Sequence, residues 1–233
     1  MAKKAQVNTP KEEQEFKFPS EMIDLPSGGK LYPEGHPLSS GKVEVKYMTA
    51  KEEDILTSQN LIKKGVVIDR LLDSLILTNG VKQGDMVLGD KNAIMVAARI
   101  LAYGPEYSFV IGGETIDVDL SEVNNKEIDS KKYKAGNKFD LKLPSGNEVT
   151  FKLLTHQDEI SIERELTGLK KINKNDSSQV TTRLKKMITS VNGSTEIKDI
   201  REYVDKYMLA TDARALRKEY TDLQPDVDLS YNY

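Results

Sequence analysis

The apolar residues of this chain change their period twice along its length, and that change limits the fold more than any other feature. Between Tyr107 and Leu153 they recur at every second position, in two stretches. Tyr107, Phe109 and Ile111 meet Ile116, Val118 and Leu120 across Gly112-Gly113. Phe139, Leu141 and Leu143 meet Val149, Phe151 and Leu153 across Pro144-Ser145-Gly146-Asn147. Successive side chains of a strand point to opposite faces, and glycine-containing turns reverse the chain, so each stretch predicts an antiparallel hairpin. Strict alternation in the second predicts one buried and one wet face.

On both sides of this block the spacing is helical. Thr49 and Glu52 form a capping box that starts a helix running to about Thr57. Beyond Gly65, Val67/Ile68, Leu71/Leu72 and Leu75/Ile76 mark a second helix, closed by Asn79-Gly80. Asp90 is expected to cap a third, with Ile94, Ala97, Ala98 and Leu101 on one face. After the cap residue Thr155, four further helices are predicted, with stripes at Ile162/Leu166/Leu169 and at Val180/Leu184/Met187/Ile188/Val191. The others run through Ile197/Ile200/Tyr203/Val204/Tyr207/Met208 and Ala213/Leu216/Tyr220/Leu223, with breaks at 173–176, 192–193 and 209–212. Val43, Val45 and Tyr47 predict one short strand ahead of all of these.

The resulting layout is α+β: an N-terminal extended segment and short helices, central antiparallel β-hairpins, and a C-terminal helical bundle. No strand–helix–strand alternation occurs, so no parallel nucleotide-binding sheet is predicted. Residues 1–17, rich in lysine and glutamate, predict a flexible arm. Residues 18–155 form the α+β region with both hairpins, 156–224 the helical region, and 225–233 a C-terminal strand or tail. Phe18–Gly41 is dense in proline and glycine yet carries Ile23, Leu25, Leu31 and Tyr32, which predicts an ordered extended segment. Polar Asn124–Lys138 predicts an exposed loop.

Charge and composition narrow the function. The 34 basic and 37 acidic side chains give a net charge of −3 and are intermixed, so the cationic footprint of a nucleic-acid binder is missing. Without cysteine there are no disulfides, thiolate ligands or thiol nucleophiles, which fits synthesis in the cytoplasm. The start, Met1-Ala2-Lys3-Lys4-Ala5-Gln6, lacks the apolar stretch of a signal peptide, and no run approaches the roughly 18 apolar residues of a membrane span. The chain is expected neither to be exported by that route nor to enter a bilayer.

Catalytic chemistry finds little to work with. Only His36 and His156 supply imidazole, and no motif links either to a serine and an aspartate. Ser27-Gly28-Gly29-Lys30 resembles a phosphate loop in composition, but Leu31-Tyr32-Pro33 follows where a helix would have to start. The carboxylate groupings Glu52/Glu53/Asp54, Asp117/Asp119, Asp158/Glu159 and Glu163/Glu165 are sequence neighbours, which makes them solvated faces rather than opposed pairs across a cleft. No enzyme activity, cofactor or metal is expected. The competing class is a carboxylate-dependent hydrolase that pairs Asp or Glu with His156.

Two segments are candidates for partner binding. One is Leu25–Pro33, where Pro26 and Pro33 restrict the backbone and Leu25, Leu31 and Tyr32 supply apolar anchors. It is either a clasp across the chain's own helices or a surface presented to another subunit. The other is the C-terminal tail, where Asp226-Val227-Asp228-Leu229-Ser230 repeats Asp117-Val118-Asp119-Leu120-Ser121. With Val227, Leu229, Tyr231 and Tyr233, this tail either folds back on its own domain or adds a strand to a partner's sheet edge.

The run Leu25-Pro26-Ser27-Gly28-Gly29-Lys30-Leu31-Tyr32-Pro33 resembles the opening motif of the baseplate hub and tail-assembly proteins of T4-type contractile-tailed phages. The Gly41-x-Val43-x-Val45 strand, the Thr49-x-x-Glu52-Glu53-x-x-Leu56 helix and the Phe139–Leu153 hairpin continue the likeness, which spans 18–170 and is densest over 25–56. The resemblance implies a structural or assembly role without catalysis, with other baseplate or tail proteins as partners. It also implies a place in the virion tail baseplate, or in the host cytoplasm for a transient assembly chaperone. Relatives carry cysteine pairs near the first hairpin, suggesting a small zinc ribbon. This chain has Glu106, Gly112 and Gly113 there and no thiol.

Overall fold

The computed structural model describes residues 18–133, 136–172 and 178–230. The 1–17 arm, the 173–176 helix break, Tyr231 and Tyr233 lie outside the described residues. The architecture is α+β. Strand β1 (Ser20–Asp24) pairs antiparallel with β2 (Lys42–Lys46), Ser20 opposite Lys46 and Asp24 opposite Lys42. Helices α1 (Ala50–Thr57), α2 (Gln59–Lys63) and α3 (Val67–Leu75) follow, then the long α4 (Leu88–Tyr103). Strands β3 (Glu106–Ile111) and β4 (Glu114–Asp119) form a two-stranded ribbon, with Gly112 and Gly113 at positive φ in its turn.

The second hairpin, β5 (Phe139–Lys142) and β6 (Glu148–Phe151), is joined by β7 (Ile188–Val191) in a three-stranded sheet of order β5-β6-β7. Around it lie α5 (His156–Ile172), α6 (Gln179–Met187), α7 (Ile197–Glu202) with a π turn over Tyr203–Tyr207, and α8 (Ala210–Leu223). One core joins Leu25, Leu31 and Leu38 of the first segment to Leu72 and Leu75 of α3 and Ile94 of α4. It continues through Phe151 and Leu153 to Leu216 of α8. Both that core and the β6–β7 pairing run across the 155/156 division drawn from sequence.

Several expectations are corrected. The stripe that continued to Ile188 and Val191 is helical only to Met187, because Ile188–Val191 pairs with β6 and fills its open edge. The C-terminal region is therefore not a bundle of helices alone. Helix α3 stops at Leu75 rather than at Asn79-Gly80. Ile76 turns extended and bridges to Val45, and the Leu77 N–H donates to the Glu44 carbonyl at 2.9 Å. Asp90 is not a cap; it lies in the first turn of α4, whose N-cap is Val87, and its side chain turns inward. The expected exposed loop over 124–138 has no buried residue among those described, but it is anchored at two points: Tyr133 Oη donates to the Leu223 carbonyl at 2.6 Å, and Asn137 bonds both backbone groups of Leu153.

Candidate functional site

The Leu25–Pro33 segment is a clasp locked onto one buried carboxylate. Gly28 and Gly29 take positive φ, and a Cβ on Gly29 would meet Gly41 N and Ser39 O at 2.5 Å, so the turn closes only without a side chain there. That turn aims two side chains at Asp90, which is fully buried. Asp90 Oδ1 accepts the Ser27 N–H at 2.9 Å, and Oδ2 accepts the hydroxyls of Ser27 at 2.7 Å and Tyr32 at 2.6 Å. Tyr32 Oη in turn accepts the Val87 N–H at 3.2 Å. Burial raises the Asp90 carboxyl above its ordinary range, with the Asp226 charge adding to it, while the Ser27 and Tyr32 donors pull it back. Burial and the neighbouring carboxylate push the Tyr32 hydroxyl far up, so it stays a donor.

Of the five residues nominated here for partner contact, Leu25, Leu31 and Tyr32 are buried in the chain's own core. They cannot also be offered to a partner. Pro26 is half-buried and Pro33 is exposed. Pro33 sits on the rim of a groove of about 510 Å³, lined also by Tyr32, His36, Asp85, Lys152 and Gln157. His36 stacks on Tyr32 with ring centroids 5.2 Å apart and accepts the Leu38 N–H at Nδ1.

Two further carboxylates tie the helices together, and one of them, Glu52, is fully buried rather than part of the solvated face expected from its neighbours in sequence. Glu52 Oε2 accepts the Thr49 N–H at 2.9 Å, and Oε1 accepts Lys46 Nζ at 2.9 Å and the Ser74 hydroxyl at 2.5 Å, so β2, α1 and α3 meet on one charge. Burial pushes the Glu52 carboxyl up, but the donors from Ser74, Thr49 and Lys46 outweigh it and hold the group down at about 2. Asp69 Oδ1 lies 2.7 Å from Lys91 Nζ and 2.8 Å from His156 Nε2, joining α3, α4 and α5. His156 thus has a carboxylate beside it, but the Lys91 ammonium shares the same oxygen, and the backbone N–H of His156 bonds the Met86 carbonyl at 2.8 Å. This arrangement is an ion clamp at the start of α5.

The C-terminal tail folds back on the chain through Asp228. The Lys126 N–H donates to the Asp226 carbonyl and the Asp228 N–H to the Asn124 carbonyl, both at 2.8 Å, around an Asn125–Val227 bridge. Asn92 Nδ2 holds Asp226 Oδ1 at 3.0 Å, and a Cβ on Gly89 would lie 1.7 Å from the Pro225 carbonyl oxygen. Val227 is therefore engaged within its own chain and not an unpaired strand, while Leu229, at 52% exposure, is open to solvent. The repeated pentapeptide makes the same local turn twice: Asp119 accepts the Ser121 N–H at 2.8 Å, and Asp228 accepts the Ser230 N–H at 3.0 Å.

The surface that sequence reasoning did not nominate is the β3–β4 ribbon. Its residues are exposed or half-buried throughout, and Val110 (68%), Ile111 (46%) and Tyr107 (43%) face solvent. The ribbon is braced at its root, where Arg99 donates to the carbonyls of Gly104 and Glu106 and lies over the Tyr103 and Tyr107 rings. A sequence signal was present: five carboxylates and no lysine or arginine between Pro105 and Val123. No protein-family model, characterised protein or solved structure matches this chain.

Proposed function

We propose that this chain is a structural or assembly component of a contractile phage tail baseplate hub, binding other baseplate or tail proteins without catalysis. The observation that carries the binding role is the β3–β4 ribbon. A two-stranded hairpin has little stability of its own in water, and here Tyr107, Val110 and Ile111 are exposed above a braced root, as in a contact element. The phage assignment draws on the 25–56 motif. Its residues are fold determinants in this chain, with Ser27, Gly29 and Tyr32 building the Asp90 clasp and Thr49 and Glu52 the α1 junction.

Quantifying the chain in purified virions and in infected-cell extracts tests the reading. Presence in virion tails supports a built-in hub component. Presence only on tail intermediates supports a transient chaperone. A chain that never co-fractionates with tail proteins overturns both. The hydrolase alternative has the Asp69–His156 contact to draw on. Conversion of cell-wall substrate that is lost in a folded His156→Asn variant would favour it.

A further inference from the structure

The outer edge of β4 is an unoccupied half of a sheet. The two-residue turn between Ile111 and Glu114, and the Leu120 N–H donating to the Pro105 carbonyl at 2.8 Å, fix the phase of the ladder. Tyr107 bonds Val118, Phe109 bonds Ile116 and Ile111 bonds Glu114, so Thr115 and Asp117 direct their backbone N–H and C=O groups away from β3. Among the described residues, no backbone bond from another element reaches those groups. The opposite edge differs, because Arg99 already occupies the Glu106 carbonyl at the root of β3.

Charge says what fits. Strand β4 itself carries Glu114, Asp117 and Asp119, with Glu106 across from Asp119 and Glu122 just beyond. A second copy of the chain would set carboxylate against carboxylate, which disfavours self-pairing. A strand with lysine or arginine alternating with apolar residues would meet Asp117, Asp119 and Glu106 on one face. On the other it would meet the face formed by Phe109, Ile116 and Val118, with Glu114 at its turn end.

We infer that the outer edge of β4 takes up a basic, extended segment of another protein by strand addition. This rests on the protein-binding reading above and names the partner's chemistry. The probe is a labelled short peptide alternating valine and lysine, with a valine–glutamate counterpart, titrated into the full chain and followed by fluorescence anisotropy. The lysine peptide is expected to bind and the glutamate peptide not. Thr115→Pro removes one outward N–H and no ladder bond, and should weaken binding by about tenfold or more. Asp117→Lys should do the same, whereas Val110→Pro on the opposite edge should leave binding intact. Unchanged melting temperatures show that the variants fold.

Equal binding of the two peptides, unchanged binding by Thr115→Pro, or loss through Val110→Pro would overturn the assignment. The tail readout separates the two ideas. If the wild-type chain enters tails and the peptide test fails, only the β4 edge is wrong. If the peptide test succeeds and the chain never meets a tail, only the baseplate reading is wrong.

Discussion

Replacing Tyr32 by phenylalanine removes one oxygen atom and leaves the ring in place, so it tests the Asp90 clasp without opening a cavity. That oxygen donates to Asp90 Oδ2 at 2.6 Å and accepts the Val87 N–H at 3.2 Å. Losing a hydrogen bond to a charged acceptor costs about 1.5–3 kcal/mol, and leaving a buried N–H unpaired adds about 1 kcal/mol when the original bond is long. The sum is about 3 kcal/mol, a large share of the roughly 5–15 kcal/mol that holds a domain folded. Urea unfolding followed by circular dichroism should show the midpoint falling with the slope unchanged. The pH dependence has a definite sign. Asp90 has a raised carboxyl in the folded state, so its contribution to stability is greatest below the ordinary value of 3.8 and declines as pH rises towards the raised value. Removing the Tyr32 donor lifts the folded value further and extends that decline. The penalty should therefore be larger near about pH 7 than near about pH 4. A loss below about 0.5 kcal/mol, or a penalty that shrinks with rising pH, would refute the clasp as a stabilising unit.

Gly89→Ala should displace the C-terminal tail, since the added methyl would meet the Pro225 carbonyl, and cost about 1–3 kcal/mol in urea unfolding. Glu52→Gln should cost about 3 kcal/mol by stranding the buried Lys46 ammonium. It should also flatten the acid limb of the stability curve. The wild-type contribution of Glu52 is complete above 4.5 and is lost as pH falls towards about 2. Deleting residues 225–233 removes the acceptor of the Lys126 N–H, so amide exchange at Lys126 should accelerate. Unchanged protection there would show that the tail does not hold the 124–126 stretch.

The elements legible in the sequence are those whose signal is local. Both hairpins lie where the alternation put them, because period and turn are written within about a dozen adjacent residues. Thr49 starts α1 and Thr155 starts α5, where Asp158 Oδ2 accepts the Thr155 N–H at 3.0 Å and the Asp158 N–H returns to Thr155 Oγ1 at 3.3 Å. The Pro/Gly segment was readable as ordered, and its apolar residues as anchors. Whether they anchored this chain or another was not readable, because burial belongs to the partner surface and not to the residue.

By itself the sequence determined the α+β order, the hairpin turns and the helix starts, through side-chain period, glycine turns and short-range caps. Only the tertiary structure decided that Ile188–Val191 leaves a helical stripe to become the third strand. Residues about 40 positions earlier in β6 offer a ladder of backbone bonds, and that outweighs propensity differences of a few tenths of a kcal/mol per residue. The same holds for Asp90. Its spacing looks like a cap, but Ser27 and Tyr32, 63 and 58 residues away, bring three donors to it, and a buried carboxylate goes where its donors are.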